Sequence, residues 1–150
     1  MSSQTDNTNV ELKVLIRKWI LERISDPVVL DLFCGSVGLM YQNVWKDAIH
    51  YLGVDKNEPH NHALTIKASA EQAAAKFDLD PFNIFDVDPY DVPWIVARRI
   101  LKRIKPGRYG MALTSGEHRG LSNGYSNYVI RATLGLSGFS DLRLLVRYQP

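Results

Sequence analysis

Residues Val28–Met40 read VVLDLFCGSVGLM, and this stretch decides the fold. Val28, Val29, Leu30 and Leu32 form an apolar run without polar alternation, which is what a strand buried on both faces of a parallel sheet requires. The run carries one acid, Asp31, passes a turn holding Gly35 and Gly38, and then changes period. Val37, Met40, Tyr41, Val44, Trp45 and Ala48 recur at spacings of three and four, the stripe of a helix folded back onto the sheet. Glycines in such a turn leave the backbone open to a ligand where helix N–H groups point outward.

A second strand, His50 to Val54, ends in Asp55. In nucleoside-binding sheets an acid at this position accepts hydrogen bonds from ribose hydroxyls; an ordinary turn in which Asp55 caps the following backbone has the same pattern. KNEPHNH then reads as loop, and residues 63–68 (ALTIKA) as a short strand. Ser69 with Gln72 forms a capping box for a helix over residues 70–77. Residues 82–87 (FNIFDV) are a further strand, followed by the turn DPYDVP. Pro93 opens a helix running to about Lys105 with Trp94, Ala97, Leu101 and Ile104 inward. Residues 109–114 (YGMALT) form another strand, residues 115–124 a polar loop, 126–136 a helix and 141–148 a last strand.

Upstream, Met1 to Asn9 has almost no apolar surface to offset ordering entropy and reads as a disordered tail. A helix follows from Val10 until Asp26-Pro27 stops it. Its expected inward stripe is Leu12, Leu15, Ile16, Trp19, Ile20 and Ile24, with Glu11, Lys13, Arg17, Lys18 and Glu22 on the solvated side. Strands alternating with helices predict one α/β domain over residues 10–150. Its architecture is a three-layer sandwich around a mostly parallel, Rossmann-like sheet of about six strands. Right-handed crossovers gather the loops carrying Cys34, Asp55, Ser69, Asp88 and Ser115 along one sheet edge.

The composition sets bounds on function. A length of 150 residues suits one domain. With 45% hydrophobic and 23% charged residues the chain has ordinary globular composition. A net charge of +2 is too small to announce nucleic acid by itself. One cysteine excludes an intramolecular disulfide and fits a reducing compartment. No apolar run reaches membrane-spanning length and the N-terminus is polar, so a cytoplasmic protein without membrane contact is expected.

The fourth predicted strand ends in the chemistry-bearing segment FDVDPYDVPW, residues 85–94. Asp86 and Asp88 alternate along it, and Pro89 ends backbone donation, exposing carbonyls of the turn and the Tyr90 ring. A carboxylate beside backbone carbonyls holds an exocyclic amine, and an aromatic ring stacks a planar base. The combination suits methyl transfer to nitrogen, in which aligning a lone pair matters more than a strong base. A plain Asp-Pro turn with Tyr90 covering the sheet edge has the same residues.

VVLDLFCGSVGLM, the acid of YLGVDKN, KASAEQ and FDVDPYDVPW stand in the order and approximate spacing of the S-adenosylmethionine-dependent methyltransferases of Rossmann-like fold. The resemblance covers roughly Val28 to Ser115, and FDVDPYDVP further resembles the D-x-D-P-F/Y-G-x-P motif of tRNA guanine-N2 dimethyltransferases. It implies S-adenosyl-L-methionine as cofactor and no metal. Asp31, Phe33, Cys34, Gly35, Ser36 and Gly38 would form the loop at its methionine end. Asp55, with Lys56, would bind the ribose, and Ser69 with Ala70 falls where the family contacts adenine. Asp88, Pro89 and Tyr90 would be the catalytic turn. Val37 and Asp91 stand where the related motifs carry glycine. The implied activity is N-methylation of an amino group of a nucleic acid, tRNA-like, or of a related base, an RNA-modification role.

Two other readings belong beside it. A degenerate methyltransferase fold that binds a partner or RNA without turnover accommodates Val37 and the short chain; for either reading a partner subunit or a homodimer is compatible. A nicotinamide-dependent dehydrogenase lacks support, since G-x-G-x-x-G and a later Tyr-x-x-x-Lys pair are absent. For the acceptor, Arg98, Arg99, Lys102, Arg103, Lys105 and Arg108 form a basic face suited to phosphates or simply to solvent. Glu117, His118 and Arg119 follow a strand's carboxyl end. His60 and His62 have no third ligand nearby. Trp19, Trp45 and Trp94 are expected in the core.

Overall fold

The computed structural model describes residues 10–89 and 93–114. Helix α1 (Val10–Leu21) precedes strand β1 (Val28–Asp31), which leads into the short helix α2 (Leu39–Asn43) and a 3-10 turn at Trp45–Asp47. Strands β2 (His50–Asp55) and β3 (Thr65–Lys67), helix α3 (Ala70–Lys76), strand β4 (Ile84–Val87), helix α4 (Trp94–Arg103) and strand β5 (Gly110–Leu113) complete the described elements. The predicted loop 115–124, helix 126–136 and strand 141–148 lie outside them, as do the N-terminal tail, Tyr90 and Asp91.

The five strands form one all-parallel sheet in the order β3-β2-β1-β4-β5. The chain is therefore of the α/β class, with helices over both faces of a parallel sheet. Winding goes outward from β1 in both directions, so the connection after β1 and the one after β4 pack on opposite faces of the sheet, the switch point beside which α/β sheets bind ligands. One core packs α3 and α4 against Leu30, Leu32, Val54, Phe85 and Val87. The other packs α1, α2 and Trp45 against Val29, Ile84 and Ala112. Alternation along β1 and β4 therefore turns Asp31 and Asp86 toward the α1 face, in register with one another.

Helix α1 is rotated from its expected orientation. Leu12, Leu15, Ile16 and Trp19 are exposed, between 47% and 64%, whereas Arg17 is only 1% exposed. The inward face consists of Val10, Val14, Arg17, Ile20 and Leu21, with Ile24 beyond the helix end. The carboxylates on this sheet face explain the rotation, because a buried acid demands a cation more strongly than a leucine demands burial. Trp19 is correspondingly not a core residue; Trp45 and Trp94 are.

Two smaller corrections concern α2 and α4. The stripe from Val37 to Ala48 is not one helix: Val37 is exposed ahead of it, and Val44, with φ −140°, separates α2 from the 3-10 turn. In α4 the inward residues are Trp94, Val96, Ala97 and Ile100, while Leu101 is exposed. Ser69 does cap α3, its Oγ accepting the Gln72 N–H at 3.1 Å.

Candidate active site at the carboxyl edge of the sheet

The first part of the candidate site is the turn after β1. Leu32 N–H donates to the Asp86 carbonyl at 3.0 Å and Cys34 N–H to the Val54 carbonyl at 3.1 Å, so the chain stays laced between β4 and β2 beyond the strand end. Gly35 then turns with φ 65°, a conformation that strongly favours glycine. Its N–H donates to Asp55 Oδ2 at 3.0 Å, and Asn57 N–H donates to Asp55 Oδ1 at 2.9 Å. Each carboxylate oxygen keeps acceptor capacity for a hydroxyl. A Cβ placed on Gly35 would meet no atom within 4 Å. The space beside Asp55 is thus open to a ligand.

Gly38 has a different reason. Its φ is 64°, and a Cβ there would lie 2.6 Å from His60 Cγ. The protein's own imidazole occupies the approach that the sequence assigned to a ligand. Val37 has no positive φ, since Asp26 alone has one among the described non-glycine residues. The side chain of Val37 is exposed, so this residue does not strain the turn.

His60 anchors a buried polar chain beneath the turn. His62 N–H donates to His60 Nδ1 at 3.2 Å, which leaves the proton of a neutral ring on Nε2. Nε2 and the Tyr51 hydroxyl are 3.1 Å apart, and that hydroxyl donates to Asp31 Oδ2 at 3.0 Å. Phe33 N–H donates to Asp31 Oδ1 at 3.3 Å. Burial lowers the His60 pKa, and His62 lowers it further. Burial raises the Asp31 pKa well above the usual carboxylate range, and the Asp86 charge adds to this. The Cys34 thiol is pushed up to about 12, by burial first and then by the charges of Asp31 and Asp55. At neutral pH it is a thiol and no nucleophile.

The second part is the β4 terminus. Asp86 is fully buried, yet every bond it needs is present: Arg17 Nε to Oδ2 and Arg17 Nη2 to Oδ1, both 2.6 Å, and Trp45 Nε1 to Oδ2 at 2.8 Å. Two residues on, Asp88 is half-buried. Lys13 Nζ lies 3.0 and 3.1 Å from its two oxygens, and Arg17 Nη2 lies 3.3 Å from Oδ2. Thr114, just past β5, completes the fringe, with its hydroxyl 3.5 Å from Arg17 Nη2. Asp88 thus sits at the strand end in contact with two cations from α1.

The edge therefore brings together Asp31, the Phe33–Gly38 turn, Asp55 and Asp88-Pro89. Ser36 and Lys56 are exposed there. The Ser69 hydroxyl is engaged by the helix cap, and Ala70, the first residue of α3, is buried in the core. Tyr90 lies outside the described residues. The expected basic face is exposed, but half of it is engaged within the chain: Arg99 donates to the Glu71 carbonyl, Arg103 to those of Ala74 and Phe77, and Lys105 pairs with Asp80. These bonds tie α4 and the residues after it to α3 and to the segment that follows α3. A groove of about 480 Å³ lined by Leu101, Ile104, Tyr109 and Met111 lies near the start of β5, at the opposite end from this site.

Lys13, Arg17, Trp45, Tyr51 and His60 are the residues of this region that sequence reading did not assign to it. One signal was available: Asp86 within a four-residue buried parallel strand requires a partner cation. No protein-family model matches the chain, and no curated protein matches it. No helix among the described residues is long and apolar enough to cross a membrane.

Proposed function

We propose that this protein is an S-adenosylmethionine-dependent methyltransferase acting on an amino nitrogen of a nucleic acid, tRNA-like, or of a related base. The observation that carries the reading is the open space over Gly35 beside Asp55, one strand away from the Asp88-Pro89 terminus of β4. The residues that would hold the cofactor are compatible with it: a turn open at Gly35 though filled by His60 at Gly38, a carboxylate already fixed by two N–H donors, and acceptor capacity left for ribose hydroxyls. When bound, the cofactor supplies an electrophilic methyl group. Asp88 and the Pro89 carbonyl accept hydrogen bonds from the target amine and turn its lone pair toward that methyl, and Asp55 fixes the cofactor's ribose. Cytoplasmic RNA modification is the corresponding role.

A second reading has one observation in its favour. Asp88 is already bonded to Lys13 and Arg17, as a purely structural carboxylate would be. In that reading the fold binds the cofactor or a partner without turnover. Titration calorimetry with S-adenosylmethionine, followed by incubation with a labelled methyl donor and pools of tRNA, rRNA, DNA and protein, separates the two. Binding with transfer to a nucleic acid supports the enzyme, binding without transfer supports the second reading, and absence of binding at millimolar cofactor removes the enzyme and leaves only a fold that binds a partner.

A further inference from the structure

The glycine turn after β1 is held by a residue distant from it in sequence. His60 belongs to the loop between β2 and β3, yet it touches the turn at both Gly35 and Gly38. Its N–H donates to the Gly35 carbonyl at 3.0 Å. Its ring lies against Gly38, with Cγ 2.6 Å from where a side chain there would begin. Gly35 is therefore fixed twice, by its N–H on Asp55 and by its carbonyl on His60. The imidazole fills the Gly38 end of the turn and leaves the Gly35 end open.

The surroundings of the ring suit its neutral form. Only 2% of His60 is exposed. From its own loop, the His62 N–H donates to Nδ1 at 3.2 Å and the His62 ring stacks on it with centroids 5.6 Å apart. Tyr41 of α2 stacks on it at 5.5 Å, and the Tyr51 hydroxyl of β2 stands 3.1 Å from Nε2. The Cys34 thiol faces the His60 backbone from the turn. Asp31 of β1 meets the ring only through the Tyr51 hydroxyl, and its other oxygen accepts the Phe33 N–H at the start of the turn. A second proton would fall on Nδ1, setting a donor against the His62 N–H and a charge in a buried site without a carboxylate in direct contact. Water solvates that charged ring better than this pocket does.

We infer, on the reading of this turn as the cofactor loop, that His60 is its proton-sensitive latch: neutral, it holds Phe33–Gly38 in the ligand-binding form, and protonated, it swings out and the turn loosens. His60 is a positioning residue, acting through Gly35 and Gly38. Apparent cofactor affinity then scales with the fraction of chains that are latched, so the site binds at neutral pH and releases on acidification.

Calorimetry with S-adenosylmethionine between about pH 7.5 and pH 5 reads the latch through the ligand. Affinity in the parent should hold above the His60 midpoint and fall below it, toward about tenfold per pH unit. His60→Gln fills the pocket less well, so binding should be several-fold weaker at neutral pH, with the acid-dependent fall gone. Affinity that stays flat in the parent, or rises on acidification, overturns the latch. NMR on the cofactor-free chain reads the same device without the ligand: the Gly35 and Gly38 amide signals should titrate with the midpoint of the His60 ring. An amide step that survives His60→Gln belongs to another group, Asp31 foremost, and overturns the latch. His62→Ala removes an exposed neighbour whose charge opposes protonation of His60, so the ring and amide midpoints should move up together. A ring midpoint that moves while the amides stay behind overturns the coupling. Amides that titrate as expected in a chain that binds no cofactor at millimolar concentration uphold the latch and remove the cofactor reading; cofactor binding with silent amides does the reverse.

Discussion

The Arg17 guanidinium grips the Asp86 carboxylate with two parallel bonds of 2.6 Å, from Nε to Oδ2 and from Nη2 to Oδ1. This pair joins the first helix to the fourth strand, across 69 residues of sequence. Removing one partner from a buried pair strands the other, at a cost of about 3–5 kcal/mol. Arg17→Met should lower stability by that amount in urea unfolding. Adding Asp86→Asn should recover part of it, because the amide is neutral and its oxygen still accepts the Trp45 N–H at 2.8 Å in the present geometry. A single variant within about 1 kcal/mol of the parent would show that the pair contributes little.

Lys13 makes a contrasting case. It pairs with Asp88 where both side chains remain partly accessible, 22% and 16%, so Lys13→Met should cost less than about 1 kcal/mol. Its effect on catalysis should be larger in proportion. If Asp88 receives the acceptor's amine, the Lys13 ammonium competes for the same oxygens. The KM for the acceptor should then fall several-fold in Lys13→Met, with cofactor affinity unchanged. Steady-state kinetics under saturating cofactor measures this, and an unaltered KM would argue that Asp88 serves structure alone.

Asp88 and Asp55 should fail in different ways. Asp88→Ala removes a group assigned to the acceptor, so transfer should drop by about 100-fold or more while calorimetric affinity for S-adenosylmethionine holds. Asp55→Ala removes the proposed ribose acceptor and leaves Gly35 N–H and Asn57 N–H without their partner. Cofactor affinity should fall by about tenfold or more, from the loss of hydrogen bonds to a charged group. Equal loss of both properties in each variant would contradict the division of roles.

Much of this edge was legible in residue patterns, and the reasons are local. The unalternating Val28–Leu32 run, the Ser69–Gln72 cap and the Pro93 helix start are each set by backbone chemistry over a few residues. The five described strands accordingly lie where the periodicities put them, within two residues at most boundaries. The orientation of α1 was not legible from the helix itself. Two stripes, one through Leu12 and Trp19 and one through Val14 and Arg17, both fit a helical period, and the choice depends on Asp86, whose burial is a tertiary fact. Gly38 was misread for a similar reason: nothing near it in sequence announces that His60 folds over it.

The two glycines of the turn separate by substitution. Gly35→Ala places a methyl in open space at φ 65°, so the backbone alone resists, at about 1–2 kcal/mol. Cofactor affinity should nevertheless fall sharply, since that open space is the proposed approach. Gly38→Ala meets the same φ penalty and a ring atom at 2.6 Å, so it should cost more stability than Gly35→Ala. Combining it with His60→Ala should relieve the clash. Thermal melts and calorimetry on the three variants test this pattern, and equal destabilisation by the two alanines would contradict it.

His60 should give the fold a pH dependence of definite sign. Burial, with the neighbouring His62, holds its folded pKa below the ordinary 6.5. The unfolded chain therefore takes up the proton first as pH falls. The His60 contribution is complete above the unfolded pKa and is lost as pH drops through the folded value. Protonation also reverses the polar chain, since a charged ring makes Nδ1 a donor facing the His62 N–H at 3.2 Å. Asp31 acts in the opposite sense: its folded pKa is raised by burial and then by Asp86. Its contribution is complete below the unfolded value of 3.8 and is lost as pH rises through the folded one. His60→Gln isolates the first effect, keeping a hydrogen-bonding side chain beside the Tyr51 hydroxyl without a titrating ring. Between about pH 8 and pH 5 the parent should lose stability relative to His60→Gln, with the change beginning near 6.5. A stability difference that stays constant across that range would show that His60 takes up its proton at the same pH in the folded and unfolded chain.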